Sequence, residues 1–112
     1  MRVYNRKEFI KLPDGVLFSK GKRWYWDGLS VKDGTNDYND FYYTDLMTIE
    51  SEDDGDWSQK LEDMLQYGTS EPINQSGGRD GCFDDNDLFL VFEKNDLIAL
   101  REHINNAIGD HQ

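Results

Sequence analysis

Apolar residues recur along this chain in short runs, some at alternating positions and some at helical spacing, and the changes of period mark its elements. Asn5-Arg6-Lys7-Glu8 has the form of a capping box, with Tyr4 and Phe9 in the staple positions on either side. The helix it opens is short, because Leu12 precedes Pro13 and Asp14-Gly15 signals a turn. Val16 to Ser19 begins a β region. Trp26-Asp27-Gly28-Leu29 predicts a hairpin, since Asp-Gly suits the positive φ of a two-residue turn. In that register Trp26 faces Leu29, Tyr25 faces Ser30, Trp24 faces Val31 and Arg23 faces Lys32. Opposed residues share a face, so Trp24, Trp26, Leu29 and Val31 form the expected core side. Arg23, Tyr25, Ser30 and Lys32 form the open side. A further turn through Lys20-Gly21 would set Leu17 on the core side and Phe18 beside Arg23.

Asp33 to Asp40 reads as a polar loop and Phe41 to Ile49 as the next strand, with Asp45 marking a bend. Glu50 to Asp56 is an acidic loop in which Asp56 and Gln59 make a second capping pattern. Trp57, Leu61, Met64 and Leu65 follow at helical spacing, and Gly68 is a natural stop. Residues 69–82 show no usable period. Leu88 to Glu93 is apolar on both faces, as a central strand would be. Asn95 then opens a last helix with Leu97, Leu100, Ile104 and Ile108, ended by Gly109. The expectation is one α+β domain over residues 1–112: a twisted, mainly antiparallel sheet of about four to five strands with two to three helices packed on one side.

Composition sharpens this picture in two ways. Only 37% of the 112 residues are hydrophobic, but fifteen are Phe, Trp or Tyr, enough for one modest aromatic core. No stretch approaches the roughly 20 apolar residues of a membrane span, and the first residues hold no apolar signal segment. The single cysteine, Cys82, fits a reducing compartment, so a cytoplasmic location is expected.

Charge is divided along the chain. Residues 1–32 carry a net +5 and residues 33–112 a net −16, for −11 in total. Such a split predicts two surfaces, each suited to a different partner. On the acidic side Glu50, Glu52, Asp53, Asp54, Asp56, Glu62 and Asp63 form a candidate contact with a protein that has a basic surface. Displayed rigidly, they could stand in for nucleic-acid phosphates. On the basic side Lys20, Lys22, Arg23, Tyr25 and Lys32, with Arg79 from the long loop, form the alternative: a cationic, aromatic patch that would hold a nucleotide or another phosphorylated small molecule. Opposite poles on identical chains would also favour head-to-tail homo-oligomers. The overall acidity argues against direct binding of nucleic acid.

Catalytic patterns are weak by comparison. Cys82 lies among Asp80, Asp84, Asp85 and Asp87, which suppress its thiolate, and His103 and His111 are distant in sequence. The stretches 80–87 and 50–56 are rich in oxygen ligands but miss the glycine or the final glutamate of an EF-hand loop. Zinc has too few ligands, and Gly77-Gly78 is not a phosphate loop. The expectation is a non-enzymatic protein without a cofactor; a metal-dependent hydrolase using the carboxylates is the enzymatic alternative.

Residues 9–21 (FIKLPDGVLFSKG), 24–29 (WYWDGL) and 78–97 (GRDGCFDDNDLFLVFEKNDL) resemble segments of small proteins encoded by bacteriophages and prophages. The resemblance rests on turn glycines and apolar strands. It implies a phage accessory protein that binds and disables a host factor, in a defence-related setting, and it carries no active-site residue with it.

Overall fold

The computed structural model describes residues 1–36, 40–81 and 86–110, and among them it contains one sheet and three helices. The strands are β1 (Arg2–Asn5), β2 (Leu17–Lys22), β3 (Tyr25–Thr35), β4 (Phe41–Asp45), β5 (Gly77–Arg79) and β6 (Leu88–Val91). The helices are α1 (Arg6–Phe9), α2 (Asp54–Tyr67) and α3 (Lys94–Asp110). The sheet order is β1-β6-β2-β3-β4-β5, and every pairing is antiparallel. The fold is therefore α+β, with six strands rather than four or five. The two additions are short edge strands, β1 and β5. Edge strands this short are held largely by backbone hydrogen bonds and leave little side-chain signature.

Asn5 caps α1 as its pattern requires, its side chain accepting from the Glu8 N–H at 2.9 Å. The single turn of helix delivers Phe9 onto one face of the sheet. There it stacks on Phe89 with ring centroids 4.2 Å apart and meets Phe18 and Phe41 edge-on at 4.8 and 5.1 Å. With Val91 these four rings are the fully buried apolar core.

The expected hairpin at Trp26–Leu29 does not form. β3 runs unbroken through it, and the chain turns earlier, between Lys22 and Tyr25. The true register pairs Leu17 with Val31, Phe18 with Ser30, Lys20 with Asp27, Gly21 with Trp26 and Lys22 with Tyr25. Gly28 does take positive φ, +56°, but uses it in a β-bulge where the register slips between Phe18 and Lys20. Asp-Gly supplies positive φ to a turn and to a bulge alike. Gly21 decides where the chain reverses: a Cβ there would lie 2.1 Å from the Tyr25 carbonyl oxygen and 3.0 Å from the Trp26 ring. The expected core side is consequently wrong. Trp24 is 80% exposed at the hairpin tip, and the face of Phe18, Ser30 and Lys32 is the one that α1 covers.

Element ends differ in smaller ways. β4 stops at Asp45, whose carboxylate accepts from the Met47 N–H at 2.9 Å and turns the chain. The cap of α2 is Asp53, one turn before the expected Asp56: its Oδ1 accepts from Asp56 N–H at 2.7 Å, while Asp56 Oδ2 accepts from Glu52 N–H at 3.0 Å. Gly68 ends that helix with φ +68°. α3 runs on past Gly109 to Asp110. The expectation that the helices all pack on the sheet also fails: α2 buries no residue, and residues 101–109 of α3 are all exposed.

Candidate functional site

Four of the eight cations of the first thirty-two residues, Arg6, Lys20, Lys22 and Lys32, are held by partners within the protein. Arg6 lies on the same side of α1 as Phe9, so it is carried down to the sheet with it. Its guanidinium donates to Asp80 Oδ2 at 3.1 Å and to Asp40 Oδ1 at 3.4 Å, and stands 5.4 Å from the Phe41 ring centroid. Lys20 bridges Asp80 and Asp87, both at 3.2 Å, and Lys22 reaches the other oxygen of Asp87 at 2.8 Å. Arg79 on β5 donates through Nε to Asp40. Four cations and three carboxylates thus alternate in one chain of contacts across the sheet. Asp40, Asp80 and Asp87 are buried.

The electrostatics follow from that packing. Burial alone would push the Asp40 carboxyl up, but the Arg79 hydrogen bond, the Phe41 N–H and the charges of Arg79 and Arg6 outweigh it and hold it below its ordinary 3.8. Burial would likewise lower the Lys20 ammonium, yet Asp80 and Asp87 raise it above 10.5. Arg79 is raised further by Asp40. Each shift favours the charged form of its group, as expected of mutually paired ions.

The alternative ligand set is therefore dispersed. Lys32, expected on an open face, is 1% exposed; its ammonium caps the carbonyls of Leu12 at 2.6 Å and Ile10 at 3.3 Å, with Asp14 at 3.7 Å. It pins the segment after α1 to the sheet. Lys20 fronts a cavity of about 160 Å³ whose other charged walls are Asp27, Asp45 and Asp80, a lining that repels phosphate. Lys22, Arg23 and Tyr25 do meet, around an open groove of about 690 Å³ beside Trp24, but the Lys22 ammonium is already held by Asp87.

The acidic set is placed differently. Asp54, Asp56, Glu62 and Asp63 stand on α2, and Glu50, Glu52 and Asp53 on the segment leading into it. Glu50, Glu52, Asp53, Asp54 and Glu62 are exposed; Asp56 and Asp63 are half-buried. The one cation within residues 50–63 is Lys60, 3.5 Å from Asp56 and bonded to the Glu50 carbonyl at 2.8 Å. Asp56 is held below 3.8 chiefly because the Glu52 N–H donates to it; burial opposes this, and Lys60 adds to the lowering. Carboxylates here also favour the positive end of the helix dipole, so the helix is stabilised by the charges it displays.

Among the described residues no group of three or more His, Cys, Asp or Glu side chains is placed to hold a metal ion. Cys82, Asp84, Asp85 and His111 lie outside the described residues, and His103 sits on the exposed part of α3. No described helix is long and apolar enough to cross a membrane. The sequence reading missed Arg6 and Asp40, the centre of the buried network. For Arg6 a signal existed, since it shares the inward side of α1 with Phe9; for Asp40, in a polar loop, there was none. No protein-family model, curated protein or solved structure matches the chain.

Proposed function

We propose that this chain is a non-enzymatic acidic binding protein that blocks a host macromolecule, occupying a basic surface with the carboxylates of residues 50–63. One observation carries the reading: these seven acids stand largely exposed in and just before α2 with Lys60 as the one cation in their stretch of sequence, whereas Lys20, Lys22 and Arg79 of the rival basic set are tied to Asp40, Asp80 and Asp87. A rigid row of carboxylates presents to a basic groove what a phosphate backbone would, and a phage accessory protein directed at a host defence factor is a setting that fits it.

The test uses the full chain and an oligolysine peptide as probe, followed by calorimetry over a series of salt concentrations. Affinity should fall steeply with salt. The variant Glu52→Gln/Asp53→Asn/Asp54→Asn/Asp56→Asn should lose binding while keeping α2, because Asn at position 53 still accepts a capping bond. Undiminished binding by that variant rejects this surface. The groove at the hairpin tip supports a second reading, capture of a nucleotide by Arg23 and Tyr25 beside Trp24. A thermal-shift screen with nucleotides separates the two, since a ligand at 100 times its Kd should add about 2.7 kcal/mol to apparent stability.

A further inference from the structure

Beside the carboxylates of α2 lies an apolar groove that the fold builds and leaves open. Leu46, Met47 and Ile49 from the chain after β4, Trp57 and Leu61 from α2, and Ile73 line a cavity of about 230 Å³. An apolar cavity of about 150 Å³ already admits a benzene-sized group. Four of these side chains remain open to solvent, from 38% at Leu61 to 70% at Met47. An apolar patch rimmed by polar residues marks a contact surface.

The walls are fixed before anything enters. Asp53, which caps α2, also accepts the Trp57 N–H at its carbonyl, at 3.0 Å, so the turn that displays the acids also places Trp57. Trp57 Nε1 donates to Thr48 Oγ1 at 3.3 Å, and the Asn74 N–H donates to the Thr48 carbonyl at 3.0 Å. Thr48 therefore ties both α2 and the segment after it to one point. That segment, without a period in the sequence, closes one side of the groove. Walls already in place spare a ligand part of the ordering cost.

The charged lining narrows the choice of occupant. A second cavity, of about 350 Å³, shares Thr48, Ile49 and Trp57 with the first and so adjoins it. Among the described residues the charged ones lining the two cavities are Asp45, Glu50 and Glu71, with no Lys, Arg or His. The cations nearest in sequence are engaged, Lys60 with Asp56 at 3.5 Å and the Glu50 carbonyl at 2.8 Å, and Arg79 with Asp40. An apolar group on an acidic segment would bring like charges together here; on a basic segment it brings opposite ones. We propose that the groove takes an aliphatic side chain from a Lys/Arg-rich segment of the partner, the flanking cations meeting Asp45, Glu50 and Glu71. The inference rests on the acidic-surface reading and adds to it the apolar anchor that dominates interfaces of this kind.

Calorimetry on the full chain compares two oligolysine peptides of equal length and charge, one with a single central leucine and one with serine in its place. The leucine peptide should bind about tenfold more tightly, as burial of one such side chain predicts. Leu61→Asn with Ile73→Asn should erase that preference and leave the affinity for the serine peptide unchanged. Both positions are open to solvent and α2 buries no residue, so the fold should survive. If helical signal is nonetheless lost, Ile73→Asn alone should cut the preference about threefold. Leu65→Asn, on α2 but outside the groove, should keep it. The Glu52→Gln/Asp53→Asn/Asp54→Asn/Asp56→Asn variant should weaken both peptides alike, which tests the acidic surface apart from the groove. Equal affinity for the two peptides, a preference that survives the groove variants, or one lost in Leu65→Asn would overturn the groove and leave the acidic surface standing. Failure of both peptides to bind would reject the two together. A wild-type dimer in sedimentation velocity that the groove variant dissociates would give the groove to a second copy and overturn the assignment.

Discussion

Two groups of carboxylates in this protein have the same chemistry and opposite uses. Asp40, Asp80 and Asp87 are buried, each bonded to one or more cations, and they join α1, β2 and β5 across the core. The acids of residues 50–63 stand at the surface, bonded mainly to the backbone N–H groups that cap α2. Charge along a sequence does not distinguish a group that holds a fold from one that offers a contact. Satisfaction by a partner does.

The largest expected effect separates the two directly. Asp40→Ala leaves the Arg6 and Arg79 guanidiniums short of a partner at a fully buried position and should destabilise the chain by about 4 kcal/mol in chemical denaturation. Glu52→Gln with Asp54→Asn should change stability by less than about 0.5 kcal/mol. Comparable losses from both would erase the distinction. Acid should expose it too. The folded Asp40 carboxyl titrates below its unfolded value near 3.8, so its stabilisation is complete above that value and is lost as pH falls through the folded pKa. Asp40→Asn should remove that part of the acid response.

The frame that aligns Lys20 and Lys22 over Asp80 and Asp87 depends on two glycines of unequal weight. Gly21→Ala drives a Cβ into the Tyr25 carbonyl and should cost about 3 kcal/mol. Gly28→Ala meets nothing closer than Met47 at 3.4 Å, and its cost is the positive φ of the bulge, about 1 kcal/mol. Thermal unfolding of the pair ranks them. The reverse order would mean that the chain turns at Asp27-Gly28 after all.

Those glycines also show what could be read in advance. The α+β class, the cap at Asn5, the stop at Gly68 and the central position of β6 were all legible, because each depends on local chemistry or on a run apolar on both faces. The hairpin register was not, since choosing between Gly21 and Gly28 requires knowing that Trp26 lies across Gly21. Of the candidate sites, the acidic set lies largely at the surface, and the fold uses only Asp53 and Asp56 of it, at the start of α2. The basic set was misread wherever a cation's partner lay far along the chain, as Lys20 and Asp80 do, sixty residues apart.

The finest test compares how the two groups respond to salt. Asp56 and Asp40 are both held below 3.8, but for Asp56 the leading cause is a backbone N–H and the helper is a surface ammonium. Screening acts on exposed charge pairs and much less on buried ones. Carbon-detected NMR titration should show the Asp56 carboxyl moving toward 3.8 at high salt, and moving similarly in Lys60→Gln at low salt, without returning fully because the Glu52 bond remains. Asp40 should stay depressed under both conditions, locked between Arg6 and Arg79. In each case the charged form is the stabilising one, so stability is kept above the unfolded value and lost as pH falls through the folded pKa. If salt raised Asp40 as far as Asp56, the network beneath the hairpin would be open to water, and its cations would again be available to an outside anion.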